Sequence, residues 1–287
     1  MVKLLFRICL SIFLIGGACS LSGCTVDLLG LFGSNDLNKR LKEKDNFTYL
    51  SRYTSALDWG DEYSFIVLAD THIQDGNALG LEGLKNVVEN SLGEIKFVVI
   101  AGDITQYAKE KDVQTFIDFA DSLSLDPFGV PCYPVIGNHD IYFGNWSAWK
   151  KLIGSTRYRI DADETSLFIL DSATGFFGKD QIDWLERELK TTAGKRVFIF
   201  THTNIFVDNP LEIQQLTDTA ERARVTSLLR GRCDAFFTGH LHERVIKEAG
   251  NVKYISIEDF HKQRIYCLVT VKAGGGMSYS FKKLPSP

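Results

Sequence analysis

The sequence predicts an α/β fold in which two packed β-sheets lie between helices. Strand-like and helix-like segments alternate through the first two thirds of the chain, and the remainder reads almost wholly as β-strands. The predicted strands are nearly continuous apolar runs, which is typical of sheets that are covered on both faces. We therefore expect residues 61–287 to form one domain.

The first half of this domain has a β-α-β-α-β pattern. Short apolar runs predict the strands, and apolar residues at helical spacing predict the helices. Strands are predicted at residues 63–70, 96–103 and 132–140, with helices at about 78–91 and 109–125.

The second half continues the alternation and then becomes rich in strands. Asp180 is the predicted N-cap of a helix, because aspartate accepts hydrogen bonds from the N–H groups of a first turn. Strands are predicted at 157–161, 166–172, 196–202 and 234–240, with helices at 181–190 and around 217–230. Antiparallel strands joined by glycine-containing turns are predicted at 244–250, 252–257, 264–271 and 277–284.

Charge excludes one class of partner. The 287 residues carry a formal net charge of -4, and the sequence has no basic stripe. Proteins that bind DNA or RNA through the phosphates usually present a strongly basic face. We therefore expect no nucleic acid as a bulk-charge partner, and the sequence does not indicate an oligomeric state.

The N-terminus has the features of an export signal. Lys3 and Arg7 precede an apolar run that is too short to span a bilayer comfortably. The stretch 21–24 resembles the lipobox of bacterial lipoproteins, in which cleavage leaves Cys24 to be acylated. A secretory signal cut elsewhere and an uncleaved anchor helix are the alternatives. The prediction is a signal peptide at 1–23, a tether with one short helix at 24–60, and a lipid anchor in a membrane of the bacterial cell envelope.

The remaining cysteines do not indicate a disulfide framework. Cys132, Cys233 and Cys267 lie in or beside predicted strands. Cysteine in such positions usually acts as a small buried apolar residue. A disulfide between two of them is possible in an oxidising compartment, but the sequence does not require one.

Five predicted strands end in side chains that can bind a metal. The carboxyl ends of parallel strands meet at one edge of a sheet, so these side chains can converge. Five of the six histidines belong to this pattern, whereas His261 lies outside it. The candidate metal ligands are Asp70, His72, Asp103, Asn138, His202, His240 and His242.

The donor types indicate the metals. Carboxylate and imidazole ligands without a thiolate suit Zn, Mn or Fe. Seven donors are too many for one tetrahedral ion, but they fit two ions if a carboxylate bridges them. Asp103 is the expected bridge, because a carboxylate has two oxygens and enough charge to offset two adjacent cations.

The order of these motifs is similar to that of the calcineurin-like metallophosphoesterases. It reads Asp-x-His, Gly-Asp, Gly-Asn-His-Asp, His and Gly-His-x-His over about residues 64–243. The resemblance is greatest to the bacterial branch that includes the class III cyclic nucleotide phosphodiesterases, and it implies a four-layer α-β-β-α sandwich. It also implies one metal held by Asp70, His72, Asp103 and His242, and a second held by Asp103, Asn138, His202 and His240.

The implied activity is hydrolysis of a phosphate mono- or diester. A hydroxide between the two ions would attack phosphorus directly, while the ions and Asn138 neutralise charge on the phosphoryl oxygens. The resemblance places His139 near the substrate and off the metals, as an acid for the leaving oxygen or as a stabilising cation. Asp140 is predicted to cap a helix.

The substrate is left open at the level of sequence. Small nucleotides and phospholipid head groups are the candidates. The alternative function is a lipid-anchored protein that binds phosphorylated ligands through a non-catalytic metal site. Aromatic residues near the motifs could stack on a nucleobase, although core packing is the favoured interpretation. These are Tyr142, Phe143, Trp146, Trp149, Phe176, Phe177 and Phe206.

One position departs from the protein phosphatase branch of that family. An aspartate three residues beyond the Gly-Asp aspartate orients the histidine there, whereas this chain has Gln106. Glutamine can hydrogen-bond an imidazole but supplies no charge. Protein phosphatase activity is therefore not expected, and the partner of His139 is left open. His261 is assigned to the surface or to a substrate loop.

Overall fold

The computed structural model describes residues 36–43, 46, 48–50, 59–78, 80–124, 129–162, 164–207 and 215–285. The predicted signal at 1–23 and the predicted lipidation site Cys24 lie outside these ranges. Cleavage and acylation therefore stay predictions. None of the helices in the described ranges has the length and apolar composition needed to cross a membrane.

The elements of the first half follow the predicted order, but the strand predicted at 132–140 ends at Val135 and two short helices that were not predicted follow it. The elements are α1 (Asp36–Leu41), β1 (Tyr63–Leu68), α2 (Leu81–Asn90), β2 (Ile95–Ala101), α3 (Glu110–Ser124), β3 (Cys132–Val135), a 3₁₀ helix (His139–Gly144) and α4 (Ser147–Leu152).

The second half also agrees with the prediction, with one additional short helix near the end. Its elements are β4 (Tyr158–Ala162), β5 (Thr165–Ile169), α5 (Lys179–Leu189), β6 (Arg196–Phe200), α6 (Thr219–Leu229), β7 (Ala235–Thr238), β8 (Val245–Ala249), β9 (Val252–Ser256), α7 (Phe260–Gln263), β10 (Ile265–Val271) and β11 (Met277–Lys283).

The strands form two mixed sheets. One has five strands in the order β11-β10-β1-β2-β3, and the other has six in the order β4-β5-β6-β7-β9-β8. Strands β1, β2 and β3 are parallel, with Leu68 opposite Ile100 and Ala101 opposite Val135. Strands β5, β6, β7 and β9 are parallel as well. The parallel strands of each sheet therefore deliver the residues that follow them to one edge.

Aromatic side chains pack the two sheets against each other. The ring of Phe65 in β1 stacks on Phe97 of β2 at 4.5 Å and lies 5.1 Å from Phe198 of β6, measured between centroids. Along β6, Phe198 belongs to this central core, whereas Val197 belongs to a second core under α5 and α6. This alternation is expected of a strand that is buried on both faces. The four-layer α-β-β-α prediction is confirmed.

The predicted N-cap of α5 is wrong. The helix begins at Lys179 after Gly178, and Asp180 lies in its first turn. The carboxylate of Glu221, from α6, accepts hydrogen bonds from the N–H groups of Phe177 and Gly178 at 2.7 and 2.9 Å. A side chain from the neighbouring helix therefore binds the N–H groups just before α5, a contact that local sequence does not reveal.

The cysteine prediction is confirmed for the described residues. Cys132, Cys233 and Cys267 are buried and unpaired. Burial raises the pKa of the Cys267 thiol to about 12. A thiol with such a pKa is protonated and unreactive at neutral pH.

Described residues of the predicted tether pack onto the sheets. Trp59 is buried with its ring 4.6 Å from that of Phe97, and the hydroxyl of Tyr49 donates to the carbonyl of Cys132 at 2.7 Å. In α1, Arg40 is fully buried and makes a two-pronged ion pair with Asp171, with N–O distances of 2.7 and 2.9 Å. The domain boundary at residue 60 stays a prediction, but α1 is joined to the second sheet by a buried ion pair.

Replacing Arg40 by methionine is expected to lower the free energy of unfolding by about 3–5 kcal/mol, because the buried carboxylate of Asp171 would lose its counter-ion. Urea unfolding measures the change. The control is Lys109→Met, which removes an ion pair whose side chains are 50% and 68% exposed, and which should leave stability nearly unchanged. Equal stability of Arg40→Met and the unmodified protein would contradict the structural role of the pair.

Candidate metal centre

The predicted metal ligands converge at the carboxyl ends of five strands. Asp70 and His72 follow β1, Asp103 follows β2, and Asn138 follows β3 in the five-stranded sheet. In the six-stranded sheet, His202 follows β6, and His240 and His242 follow β7. The two sheets therefore contribute ligands to one site. Asp70, Asp103 and His202 are buried to 99% or more of their surface.

The donor atoms form three adjacent groups, each with distances below 4.8 Å. The first contains Asp70, His72 and His242, and another contains Asp103, His202 and His240. Each of these two groups contains three of the four residues of one implied ligand set. Asn138 belongs with the second of them, because its Oδ1 lies 3.0 Å from Nε2 of His202.

Asp103 occupies the position expected of a shared ligand. Its Oδ1 lies 3.3 Å from Nε2 of His202, and its Oδ2 lies 4.0 Å from Nε2 of His139. A third group of donors consists of His72, Asp103 and His139. Asp103 thus belongs to two of the three groups, and its role as a bridge stays a prediction. His139, which the resemblance keeps off the metals, lies within reach of the same carboxylate.

The backbone at the ligands is unusual. Five of them have positive φ angles, a region that residues other than glycine seldom adopt. The values are 58° for Asp70, 44° for His72, 49° for Asp103, 71° for His240 and 57° for His242. Such conformations cost of order 1–3 kcal/mol each and cluster at functional sites. The backbone therefore leaves the extended conformation after each of these strands and directs the side chains into the site.

Two glycines allow the strand ends to approach one another. A Cβ on Gly137 would lie 2.2 Å from both the amide nitrogen and Oδ1 of Asp103. A Cβ on Gly239 would lie 2.8 Å from Oδ2 of Asp70. These distances are far below van der Waals contact, so the glycines of the Gly-Asn-His-Asp and Gly-His-x-His motifs are required by close packing.

Asp140 does not cap a helix, so that prediction is wrong. Its buried carboxylate accepts hydrogen bonds from the backbone N–H groups of Ile104 and Thr105, at 3.1 and 2.8 Å, and from that of Gly137 at 2.9 Å. It therefore ties the turn after Asp103 to the turn before Asn138. Burial and the charge of Asp103 raise the pKa of Asp140 to about 6, despite these hydrogen bonds.

The main chain orients His139. Its Nδ1 lies 3.0 Å from the backbone carbonyl oxygen of Gln106. A carbonyl can only accept, so Nδ1 carries the hydrogen and Nε2 faces Asp103 and the site. The backbone carbonyl of Gln106 is therefore the group that orients His139. This contact does not depend on the side chain at position 106.

The charged groups of the site shift one another's pKa values. Burial opposes ionisation of Asp103, but His202, His139 and His72 hold its pKa well below the usual range. Burial and the charge of His202 lower the pKa of His240 to about 4. The Nδ1 atom of His240 lies 3.2 Å from Nε2 of His202.

The residues present fit a metal centre. Nδ1 of His72 is buried and has no hydrogen-bond partner among the described residues. Its ring is surrounded by three other imidazoles, with centroids at 4.8 Å for His139, 5.6 Å for His242 and 6.2 Å for His261. Burial lowers the pKa of His72, so this imidazole is neutral and can act as a ligand.

Metal binding is expected to release a proton from His202. Burial alone would lower its pKa, but the charges of Asp103 and Asp70 raise it to about 9. The protonated imidazole stabilises the metal-free protein fully below pH 6.5, and this contribution is lost as the pH rises towards 9. Apparent metal affinity should therefore increase across that window.

Calorimetric titration with Mn²⁺ in two buffers of different ionisation enthalpy measures the released proton. At about pH 7.5, below the raised pKa, the unmodified protein should release one proton more than His202→Asn. Identical proton release by both proteins would contradict the assignment.

Two residues of the segment after β9 lie near the site; the surface or substrate-loop assignment of His261 agrees with its exposure, whereas Asp259 was not recognised. His261 is exposed, but its N–H donates to the carbonyl of Asp70 at 3.1 Å, so it lies at the rim. Asp259 is buried, with Oδ2 3.6 Å from Nδ1 of His242. Asp259 follows the parallel strand β9 by three residues, the same offset as Asn138 after β3, so the strand-end pattern was a signal that could have found it.

The aromatic residues divide between core and rim. Trp149 and Phe177 are buried, and Phe206 packs at the edge of the second core, as the core interpretation predicts. Tyr142 instead lies beside the site, with its ring 6.1 Å from His139 and inclined by 24°. The ring of Tyr107 also lies beside it, at 5.2 Å between centroids.

Comparison with known proteins finds proteins that are similar to this chain in sequence or in fold. A protein described as a "probable cyclic nucleotide phosphodiesterase" from Fibrobacter succinogenes is 27% identical over 199 residues, covering 62% of this chain and 72% of the relative. A dimetal phosphatase from Danio rerio superposes with a TM-score of 0.59 and 15% identity, over 77% of this chain and 96% of that one. A purple acid phosphatase from yellow lupin seeds superposes with a TM-score of 0.61 and 13% identity, over 79% of this chain and 52% of that one. The structural likenesses show a shared fold.

The sequence profile of the calcineurin-like phosphoesterases matches residues 63–244. This span covers more than half of the chain and contains all seven candidate ligands together with His139. Enzymes with this fold need divalent metals, and the convergent donors can hold them. The chain is a metal-dependent phosphoester hydrolase and belongs to the calcineurin-like phosphoesterase family.

Proposed function

We propose that the protein hydrolyses a phosphate mono- or diester with two metal ions that share Asp103. The observation that carries this proposal is that Asp103 groups with His202 and His240 on one side and with His72, itself grouped with Asp70 and His242, on the other. Asp70, His72 and His242 would complete one set, and Asn138, His202 and His240 the other. When bound, two adjacent cations supply an activated water as nucleophile and neutralise phosphoryl charge, so no covalent phosphoenzyme is required.

The chain's own residues supply the remaining chemistry. Asn138 presents a neutral amide at the edge of the site, where it can bind a phosphoryl oxygen as well as a cation. His139 directs Nε2 into the same space, because its Nδ1 is fixed by the carbonyl of Gln106. From there Nε2 can donate a proton to the leaving oxygen. The Asp140 carboxylate holds both turns in register through backbone N–H groups.

A small nucleotide is the favoured substrate. The bacterial relative is described as a probable cyclic nucleotide phosphodiesterase, which supports a phosphodiester of this class. Tyr142 and Tyr107 provide an aromatic surface next to His139, and Tyr107 is 36% exposed. A planar group on the leaving side could stack there. Phospholipid head groups are the second candidate.

The metals and the location form part of the same proposal. Zn, Mn and Fe all accept imidazole and carboxylate donors, so availability decides among them. The lipobox-like stretch at 21–24 supports export and anchoring in the bacterial envelope. The mature protein would then meet small phosphorylated substrates at a membrane surface.

Metal analysis combined with hydrolysis assays tests this function. The purified protein should contain about two ions per chain and hydrolyse p-nitrophenyl phosphate or bis(p-nitrophenyl) phosphate. Chelation should abolish turnover, and added Mn²⁺ or Zn²⁺ should restore it. A panel of cyclic nucleotides and glycerophosphodiesters then ranks the substrate classes. Two bound ions without hydrolysis of any ester would support the alternative of a binding protein.

A further inference from the structure

We propose that Asp259 is a positioning residue that orients the imidazole of His242 for metal binding. This inference rests on the proposed function, because it concerns one of the metal ligands. His242 lies between two carboxylates: its Nε2 is 3.5 Å from Oδ1 of Asp70, and its Nδ1 is 3.6 Å from Oδ2 of Asp259. One ring nitrogen thus faces the metal side and the other faces Asp259.

The two carboxylate oxygens of Asp259 have different surroundings. Its Oδ1 accepts a hydrogen bond from the N–H of Lys262 at 3.1 Å and caps α7. Its Oδ2 is buried and has no hydrogen-bond partner among the described residues. The ammonium group of Lys262 lies 3.5 Å from Oδ2, but that side chain is 63% exposed. Buried oxygens without a hydrogen-bond partner are uncommon in folded proteins, so this oxygen is expected to serve a function at the site.

The position of this oxygen is fixed by the backbone around it. Asp259 forms an isolated β-bridge with Ala69, and the N–H of Phe260 donates to the carbonyl of Ala69 at 3.0 Å. The side-chain amide of Gln263 donates to the backbone carbonyl of His242 at 3.0 Å. The short helix α7 is therefore bound both to the strand end that carries Asp70 and to the turn that carries His242.

The chemistry requires such a partner. An imidazole that binds a metal through Nε2 carries its hydrogen on Nδ1, and a carboxylate facing Nδ1 fixes this tautomer and makes Nε2 a better donor. The separation of 3.6 Å is slightly longer than a hydrogen bond. We expect it to shorten when Nε2 is ligated, which would satisfy the unpaired oxygen.

The test is metal affinity of the full chain carrying Asp259→Asn. Asparagine keeps the size of the side chain and is an equally good N-cap, so the structure of α7 should survive. It removes the charge that faces His242. Titration with Mn²⁺ should show two binding steps in the unmodified protein, one of which is weakened about 10–100-fold in the variant. A crystal structure with Mn²⁺ should show the Nδ1–Oδ2 contact at hydrogen-bond length.

Asp218→Asn is the matched control. Asp218 caps α6 in the same way, accepting from the N–H groups of Ala220 and Glu221 at 2.7 and 3.1 Å. Its replacement should leave both binding steps unchanged. If Asp259→Asn fails to fold, Asp259→Ser keeps a capping oxygen but is too short to reach His242, and the same weakening is expected.

The outcomes separate this inference from the proposed function. Two binding steps of unchanged affinity in Asp259→Asn would overturn the role of Asp259 and leave the metal centre intact. Equal weakening of both steps would also overturn it, because a general structural loss does not select one ion. If the unmodified protein binds no pair of ions, the proposed function itself fails.

Discussion

Replacing Asp103 by asparagine is expected to remove at least one of the two metal ions and to lower kcat/KM by at least about a thousandfold. The loss of a single electrostatic donor in an active site already costs roughly 10²–10³. Asp103 belongs to two of the three donor groups, and asparagine offers only one neutral oxygen to share between them. Metal analysis of the purified variant and its rate on bis(p-nitrophenyl) phosphate measure the two effects.

The control for this experiment is Asp75→Asn. The change is chemically identical, Asp75 lies five residues after Asp70, and its side chain is 68% exposed. Metal content and rate should both stay at the level of the unmodified protein. If Asp103→Asn retains two ions and full activity, Asp103 is not the bridge.

Replacing His139 by alanine is expected to lower the rate about 10²–10⁴-fold on an ester with a poor leaving group, which is the range for loss of a general acid. The loss should be much smaller for a p-nitrophenyl ester, because nitrophenolate leaves without protonation. His139 holds Nε2 toward the site while Nδ1 is bound to a backbone carbonyl. Comparing methyl and p-nitrophenyl phosphodiesters therefore isolates the acid role.

His261→Ala provides the comparison for His139→Ala. It removes an exposed imidazole whose ring lies 6.2 Å from that of His72, so it tests whether any nearby histidine has the same effect. We expect little change with either leaving group. Equal losses on both esters in His139→Ala would point instead to a cation that stabilises the transition state.

The convergence of the candidate ligands could be predicted from the sequence because its signal is local. Asp70, Asp103 and His202 each follow directly on an apolar strand, and parallel strands must bring such residues to one edge. The fold follows from the same strands, since their apolar runs require cover on both faces. The positions of these elements agree with the structure to within a few residues.

The supporting residues could not be predicted, because their partners are distant in the chain. Asp140 follows a helix-capping pattern, yet its carboxylate binds N–H groups 35 and 36 residues away. Asp180 likewise fits the pattern of a cap, but Glu221 from another helix binds the N–H groups before α5. Asp259 follows the end of β9, but its contact with His242 depends on the bridge that joins it to Ala69 after β1. Contacts of this kind depend on the completed fold.

The division of the candidate ligands between the two sheets constrains when the proposed metal centre can form during biosynthesis. Asp70, His72, Asp103 and Asn138 are synthesised first, and every donor from the second sheet comes after residue 200. A nascent chain of that length lacks part of each ligand set and cannot complete either. The proposed centre therefore cannot form before His242 has been synthesised, and for an exported chain that folds outside the cytoplasm, the ions present in the envelope would decide which metals the enzyme uses.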